Sequence, residues 1–149
     1  MKRIILLLTL ASSTLLFSQM TIKDNVKPVL IGKANILMTE TARFEKVGEK
    51  YKLTVYTSVN DALSKYNNRS FEMSFKATED DINNLVVSIE NNFKEAKKDH
   101  YFDVDLDGET LRFHFASRTQ LRLEQIKDGE IMGVGAWLTK NQVMKLFGK

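Results

Sequence analysis

The stretch His100-Tyr101-Phe102-Asp103-Val104-Asp105-Leu106-Asp107-Gly108-Glu109-Thr110-Leu111-Arg112-Phe113-His114-Phe115 decides the fold. Asp-Gly is favoured in two-residue hairpin turns, because type I′ geometry needs positive φ at both central residues. Folding the stretch about Asp107-Gly108 sets Leu106 opposite Glu109. Phe102 then meets Phe113 and Val104 meets Leu111 on one face, while Asp103 meets Arg112 and Tyr101 meets His114 on the other. Apolar pairs with apolar and acid with base, as cross-strand pairing favours.

A second Asp-Gly, Asp128-Gly129, predicts a second hairpin with Lys127 opposite Glu130, Leu123 opposite Val134 and Leu121 opposite Ala136. A turn at Ser117-Arg118-Thr119 joins the two into a four-stranded antiparallel meander. A short helix from about Lys140 to Phe147 follows, with Thr139 as N-cap and Gly148 as its stop.

Upstream, Glu79 to Lys97 reads as an amphipathic helix. Thr78 caps it, Glu79, Asp80 and Asp81 complement the dipole of its first turn, and Lys94, Lys97 and Lys98 suit its far end. Ile82, Leu85, Val86, Ile89, Phe93 and Ala96 form its apolar stripe. That stripe is expected to cover Phe102, Val104, Leu111, Phe113, Phe115, Leu121, Leu123 and Val134. Before the helix, the alternation of Phe71 to Lys76 marks a strand with Phe71, Met73 and Phe75 facing the core. Short strands are expected over Val29–Thr39, Ala42–Val47 and Tyr51–Thr57, and Asn60–Tyr66 fits one helical turn. The expected fold class is two-layer α+β, with N-terminal short strands and a C-terminal meander packed against one amphipathic helix and a short C-terminal helix. Helix-then-meander order also occurs in cystatin-like folds; no inhibitor motif accompanies it here, so the analogy carries no functional weight.

Met1-Lys2-Arg3 followed by the apolar run Ile4–Phe17 and then Ser18-Gln19 has the layout of a cleavable secretion signal. The run is short of the twenty or so residues that a membrane-crossing helix needs, so an uncleaved anchor or a buried first strand is the weaker reading. Residues 1–19 are read as the leader and residues 20–149 as a single domain, without a transmembrane helix after cleavage and exported to the periplasm or beyond. The chain has no cysteine, so its stability must come from packing. Its formal charge is +3, and Lys2 and Arg3 lie in the leader, so the remainder sits near +1. That gives little reason to expect nucleic acid, whose binding rests on phosphate neutralisation. One proline, no linker-like run and no internal repeat at solenoid spacing complete the organisation.

The two hairpin registers also set side by side, on the outer face of the meander, a row Asp103, Arg112, Glu124, Gly133 and a row Tyr101, His114, Arg122, Gly135, with Trp137 nearby. A solvated face of cross-strand ion pairs is the plain reading. The sharper one is a shallow ligand-binding surface: Arg112 and Arg122 hold an anionic group, Tyr101 and Trp137 stack, and His114 exchanges a proton. Glycines inside strands mark bulges or close approach, which leaves a gap beside this surface. His114 with Asp103 or Glu124 is the candidate general acid/base pair. His100 reads as a polar residue at the helix-to-strand turn. Asp103, Asp105 and Asp107 match the opening of a calcium loop, but its closing position falls on His114, within a strand, where a bidentate Glu is needed.

No nucleophile elbow, zinc-protease helix, phosphate loop or thiol is present. Gly133-Val134-Gly135 lies inside a strand, so it is no dinucleotide fingerprint. The residues therefore point away from catalysis and imply no cofactor. The leading expectation is an exported, non-catalytic domain that binds an unknown protein or small molecule. The alternatives are a small hydrolase- or lyase-like enzyme using His114 and a carboxylate, and an envelope structural protein whose sheet edge pairs with another chain.

Overall fold

The computed structural model describes residues 26–56, 70–97 and 99–149. The leader and the Asn60–Tyr66 turn lie outside the described residues. Two antiparallel sheets form. The first is a meander of β1 (Val29–Ile36), β2 (Thr39–Val47), β3 (Lys50–Tyr56) and β4 (Ser70–Lys76). The second runs β5 (His100–Leu106), β6 (Glu109–Phe115), β7 (Gln120–Lys127) and β8 (Glu130–Val134), with β9 (Leu138–Thr139) also paired to β7. Helix α1 (Glu79–Glu95) follows the first meander and α2 (Lys140–Leu146) the second. A four-stranded meander leading to a helix thus occurs twice, the second time with the short β9 added before the helix, which no sequence repeat announces.

Thr78 caps α1 as expected: its hydroxyl accepts from Asp81 N–H at 3.1 Å, and the Asp81 carboxylate accepts from Thr78 N–H at 2.8 Å. Such a reciprocal cap satisfies two N–H groups that the helix leaves unpaired. Ile82, Val86, Ile89, Phe93 and Ala96 are buried and Leu85 partly so. The helix ends at Glu95, two residues short of the expected Lys97. Thr139 caps α2 in the same way, through Gln142.

The thickest packing is aromatic. Phe44 stacks on Tyr51 with ring centroids 5.4 Å apart, and Phe113 stacks on Phe102 at 4.8 Å. Phe147, just after α2, lies 5.1 Å from Phe44 and 6.4 Å from Phe113, so one ring ties the two sheets together. Phe93 of α1 meets Phe115 edge-on at 5.0 Å, a favoured aromatic geometry.

The first hairpin of the second sheet has the expected register throughout, from His100↔Phe115 to Leu106↔Glu109. The second departs from expectation. Lys127↔Glu130 holds, but the register shifts between Gln125 and Ile126, and Glu124 rather than Leu123 faces Val134. Leu121 faces Leu138 rather than Ala136. The shift carries Val134 onto the face of Glu124, away from the α1 stripe that was expected to cover it. A Cβ on Gly133 would lie 2.6 Å from the Phe71 ring, and one on Gly135 would lie 2.6 Å from Val55. These glycines admit the first sheet at close range, and the gap expected on the outer face is absent.

Four two-residue turns join the hairpins. Asp107-Gly108 and Asp128-Gly129 have positive φ at both positions, and Gly48-Glu49 has it at the glycine. All three match turn chemistry. The fourth, between β1 and β2, is Leu37-Met38 at φ 47° and 69°, where a continuous strand to Thr39 was expected. Side chains other than Gly, Asn and Asp pay about 1–2 kcal/mol each in this left-handed region.

Two carboxylates give the fold an acid limit. The backbone and hydroxyl hydrogen bonds from Thr78 hold Asp81 below its ordinary 3.8, and the Arg43 guanidinium holds Glu40 below its ordinary 4.5 despite some burial. A carboxyl depressed in the folded state stabilises above its unfolded value, and that contribution is lost as pH falls through the folded one. The melting temperature should therefore fall as pH drops below 4.5. The Glu40→Gln/Asp81→Asn double variant should show a shallower fall in thermal scans across the same range.

Candidate functional site

The outer face of the second sheet is built by strand alternation. Residues 101 and 103 of β5, 112 and 114 of β6, and 122 and 124 of β7 point away from the core by the two-residue period. The pairing brings them together as Asp103↔Arg112↔Glu124 and Tyr101↔His114↔Arg122. Val134 stands next to Glu124, where Gly133 was expected. Trp137, between β8 and β9, covers the far end.

Each guanidinium on this face is already engaged. Arg112 donates to Asp103 through Nε and Nη2 at 2.7 and 2.8 Å, a bidentate pair, and lies 3.9 Å over the Tyr101 ring. Those hydrogen bonds hold Arg112 still more firmly protonated than usual. Arg122 donates from Nε to Glu124 Oε1 at 2.6 Å and lies 4.8 Å over Trp137. Arg–aromatic stacking of this kind adds attraction and fixes both partners.

At the centre, Glu124 is 1% exposed, an unusual position for a carboxylate that its two donors explain. His114 Nδ1 lies 2.9 Å from Glu124 Oε1 and 3.5 Å from Arg122 Nη2. The shorter contact fixes the tautomer, because a carboxylate oxygen accepts and Nδ1 must then carry the hydrogen. In the neutral ring Nε2 is then the acceptor. It is buried and has no hydrogen-bond partner among the described residues, with Asp99 Oδ1 3.7 Å away. Trp137 meets the His114 ring edge-on, with centroids 5.7 Å apart.

All five residues expected to form the binding surface, Tyr101, Arg112, His114, Arg122 and Trp137, thus share one face. Of the acid/base candidates, Glu124 touches His114, whereas Asp103 belongs to Arg112. Asp99 escaped the sequence reading; it sits at φ 61° in the turn before β5, and no motif marks it. His100, placed at that turn, opens β5 and is hydrogen-bonded through Nε2 to Asn92 Oδ1 at 2.7 Å.

The calcium candidates diverge. Asp103 holds Arg112, Asp105 accepts from the Thr110 hydroxyl at 2.8 Å, and Asp107 accepts from the Lys76 N–H at 3.2 Å. Among the described residues no group of three or more His, Cys, Asp or Glu side chains is placed to hold a metal ion. No described helix is long and apolar enough to cross a membrane.

No protein-family model, curated protein or solved structure matches this chain. A separate cavity of about 480 Å³ is lined by Ile31, Tyr51, Ile82, Phe147, Lys46 and Lys149 among others, and no outer-face residue lines it. Lys46 lies over Tyr51 at 5.6 Å and pairs with Glu79 at 3.6 Å.

Proposed function

We propose that the chain is an exported, non-catalytic binding domain that takes its ligand on the outer face of the second sheet. The observation that carries this is the pair of exposed rings on that face. Tyr101 is 51% and Trp137 38% exposed, and each is backed by a guanidinium that a carboxylate pins in place. Rigid amphipathic rings supply contact area at low entropic cost, which suits recognition. Since both arginines are committed to carboxylates, the face favours a ligand that presents a flat apolar surface and hydrogen-bond donors over a simple anion. The leader-like start of the sequence supports export to the periplasm or medium.

Trp137 is the chain's only tryptophan, so its emission reports on this face alone. Titration with sugars, peptides, anionic metabolites and calcium, followed by emission and melting temperature, is the test. A ligand at a hundred times its dissociation constant adds about 2.7 kcal/mol. One class should shift both signals, and Trp137→Ala and Arg122→Ala should each weaken it at least tenfold. If no class shifts either signal, the face is not a ligand site.

A second reading rests on the Glu124–His114 hydrogen bond, which orients an imidazole with a free Nε2 as a general base requires. That nitrogen is enclosed, so a substrate would reach it only with Asp99 or Trp137 displaced. His114→Ala separates the readings: it abolishes turnover if His114 is catalytic, and it leaves ring stacking on Trp137 in place if the face only binds.

A further inference from the structure

His114 carries a buried polar atom that the fold leaves unused. Its Nε2 is shut off from solvent and has no hydrogen-bond partner among the described residues. Buried polar groups are paired as a rule, so an exception needs a physical reason. Asp99 Oδ1 faces this nitrogen from 3.7 Å. In the neutral ring both atoms are acceptors, and no hydrogen stands between them. What the pair lacks is a donor, and the enclosure decides which kind. A ligand atom would have to displace Asp99 or Trp137 to enter. A proton needs no room, and the Asp99 carboxylate, 71% exposed, can pass it inward from solvent.

We propose that this ring is a proton switch for the outer face: a proton from solvent forms the Nε2–H bond of His114, and Asp99 closes on it. The imidazolium then bridges two carboxylates, Glu124 of β7 through Nδ1 at 2.9 Å and Asp99 of the turn before β5 through Nε2. Shortening 3.7 Å to hydrogen-bond length takes a movement of about 1 Å. Arg122 opposes the proton from β7, with Nη2 3.5 Å from Nδ1, but its Nε is held by Glu124 at 2.6 Å. Tyr101 stands opposite His114 on β5, and one row away Arg112 and Asp103 neutralise each other. Histidine is the side chain whose charge ordinarily changes between pH 5 and 8. The switch therefore works above the acid limit set by Glu40 and Asp81. Closure takes an exposed carboxylate out of the face and fastens the turn before β5 to the sheet, so in acid the face offers a ligand one acceptor fewer. That use rests on the outer face being a ligand site, whereas the closure itself needs no ligand.

The test is a ligand-free titration of the full chain from pH 8 to pH 5, across the ordinary histidine range. It is followed by Trp137 emission and by the ring C–H proton resonances of the two histidines. Trp137 meets His114 edge-on with centroids 5.7 Å apart, and an imidazolium quenches a neighbouring indole. The parent's emission should fall in one step that tracks the His114 resonance. His114→Gln should abolish the step, and His100→Gln should keep it. Asp99→Asn should lower its midpoint by about half a pH unit or more, since a carboxylate that favours the charged ring is gone. A flat emission trace, a step that survives His114→Gln, or an Asp99→Asn midpoint equal to the parent's overturns the proposal. With no ligand present, each of these results stands apart from the ligand titration that tests the face as a binding site.

Discussion

Gly32→Ala should destabilise the protein by about 3 kcal/mol, at the top of the range for overpacking. A Cβ there would stand 2.0 Å from the carbonyl oxygen of Lys145 and 2.6 Å from that of Leu146. Both are backbone atoms at the end of α2, so no side chain can swing aside. The helix would have to lift from β1, and with it Val143, Leu146 and Phe147, all buried. Phe147 is the ring between Phe44 and Phe113, so the loss spreads to both sheets. Denaturant unfolding gives the measurement. A midpoint within about 1 kcal/mol of the parent would mean that α2 does not dock on β1 in this way.

Glu124→Ala should cost about 2–3 kcal/mol. Removing one member of a buried ion pair commonly costs 3–5 kcal/mol, because the other charge is left without compensation. The lower figure applies because the Arg122 and His114 side chains keep 27% and 19% exposure and water can partly replace the lost acceptor. Glu124→Gln should recover part of the loss, since its amide oxygen still accepts one of the two donors. If the two variants unfold at the parent's midpoint, Glu124 is not what holds the face together. The double cycle with Arg122→Ala isolates the pairwise energy.

What the sequence revealed of this fold depended on local turn chemistry. Asp107-Gly108 set the pairing of β5 with β6, and with it the placing of Asp103 beside Arg112 and Tyr101 beside His114. Asp128-Gly129 set the first pair of its hairpin and then failed, because a bulge obeys packing rather than the turn. The register shifts where Gly133 and Gly135 must face Phe71 and Val55 of the other sheet, a contact no local pattern encodes. Leu37-Met38 was invisible for the opposite reason: nothing in two apolar residues announces a turn. The outer-face residues Tyr101, Arg112, His114 and Arg122 were legible because they follow strand alternation, and Trp137 joins them from the β8–β9 connection. Asp99 was not, since it reaches His114 from a turn.

The docking of α2 on β1 also bears on how the chain reaches its native state. Gln142 Nε2 donates to the Asn35 carbonyl across 107 residues of sequence, and Gly32 meets Lys145 at a similar separation. The β1–β4 meander is local and can form early, but its β1 side lacks its cover until β5–β9 have paired and α2 has swung back. Contacts of that range slow folding, because loop closure must precede any gain from them. An intermediate with β1 bare and Val143, Leu146 and Phe147 unplaced is the species most open to proteases and to pairing with another copy. A chaperone that holds the segment around β1 during synthesis would therefore protect this protein at its most exposed stage.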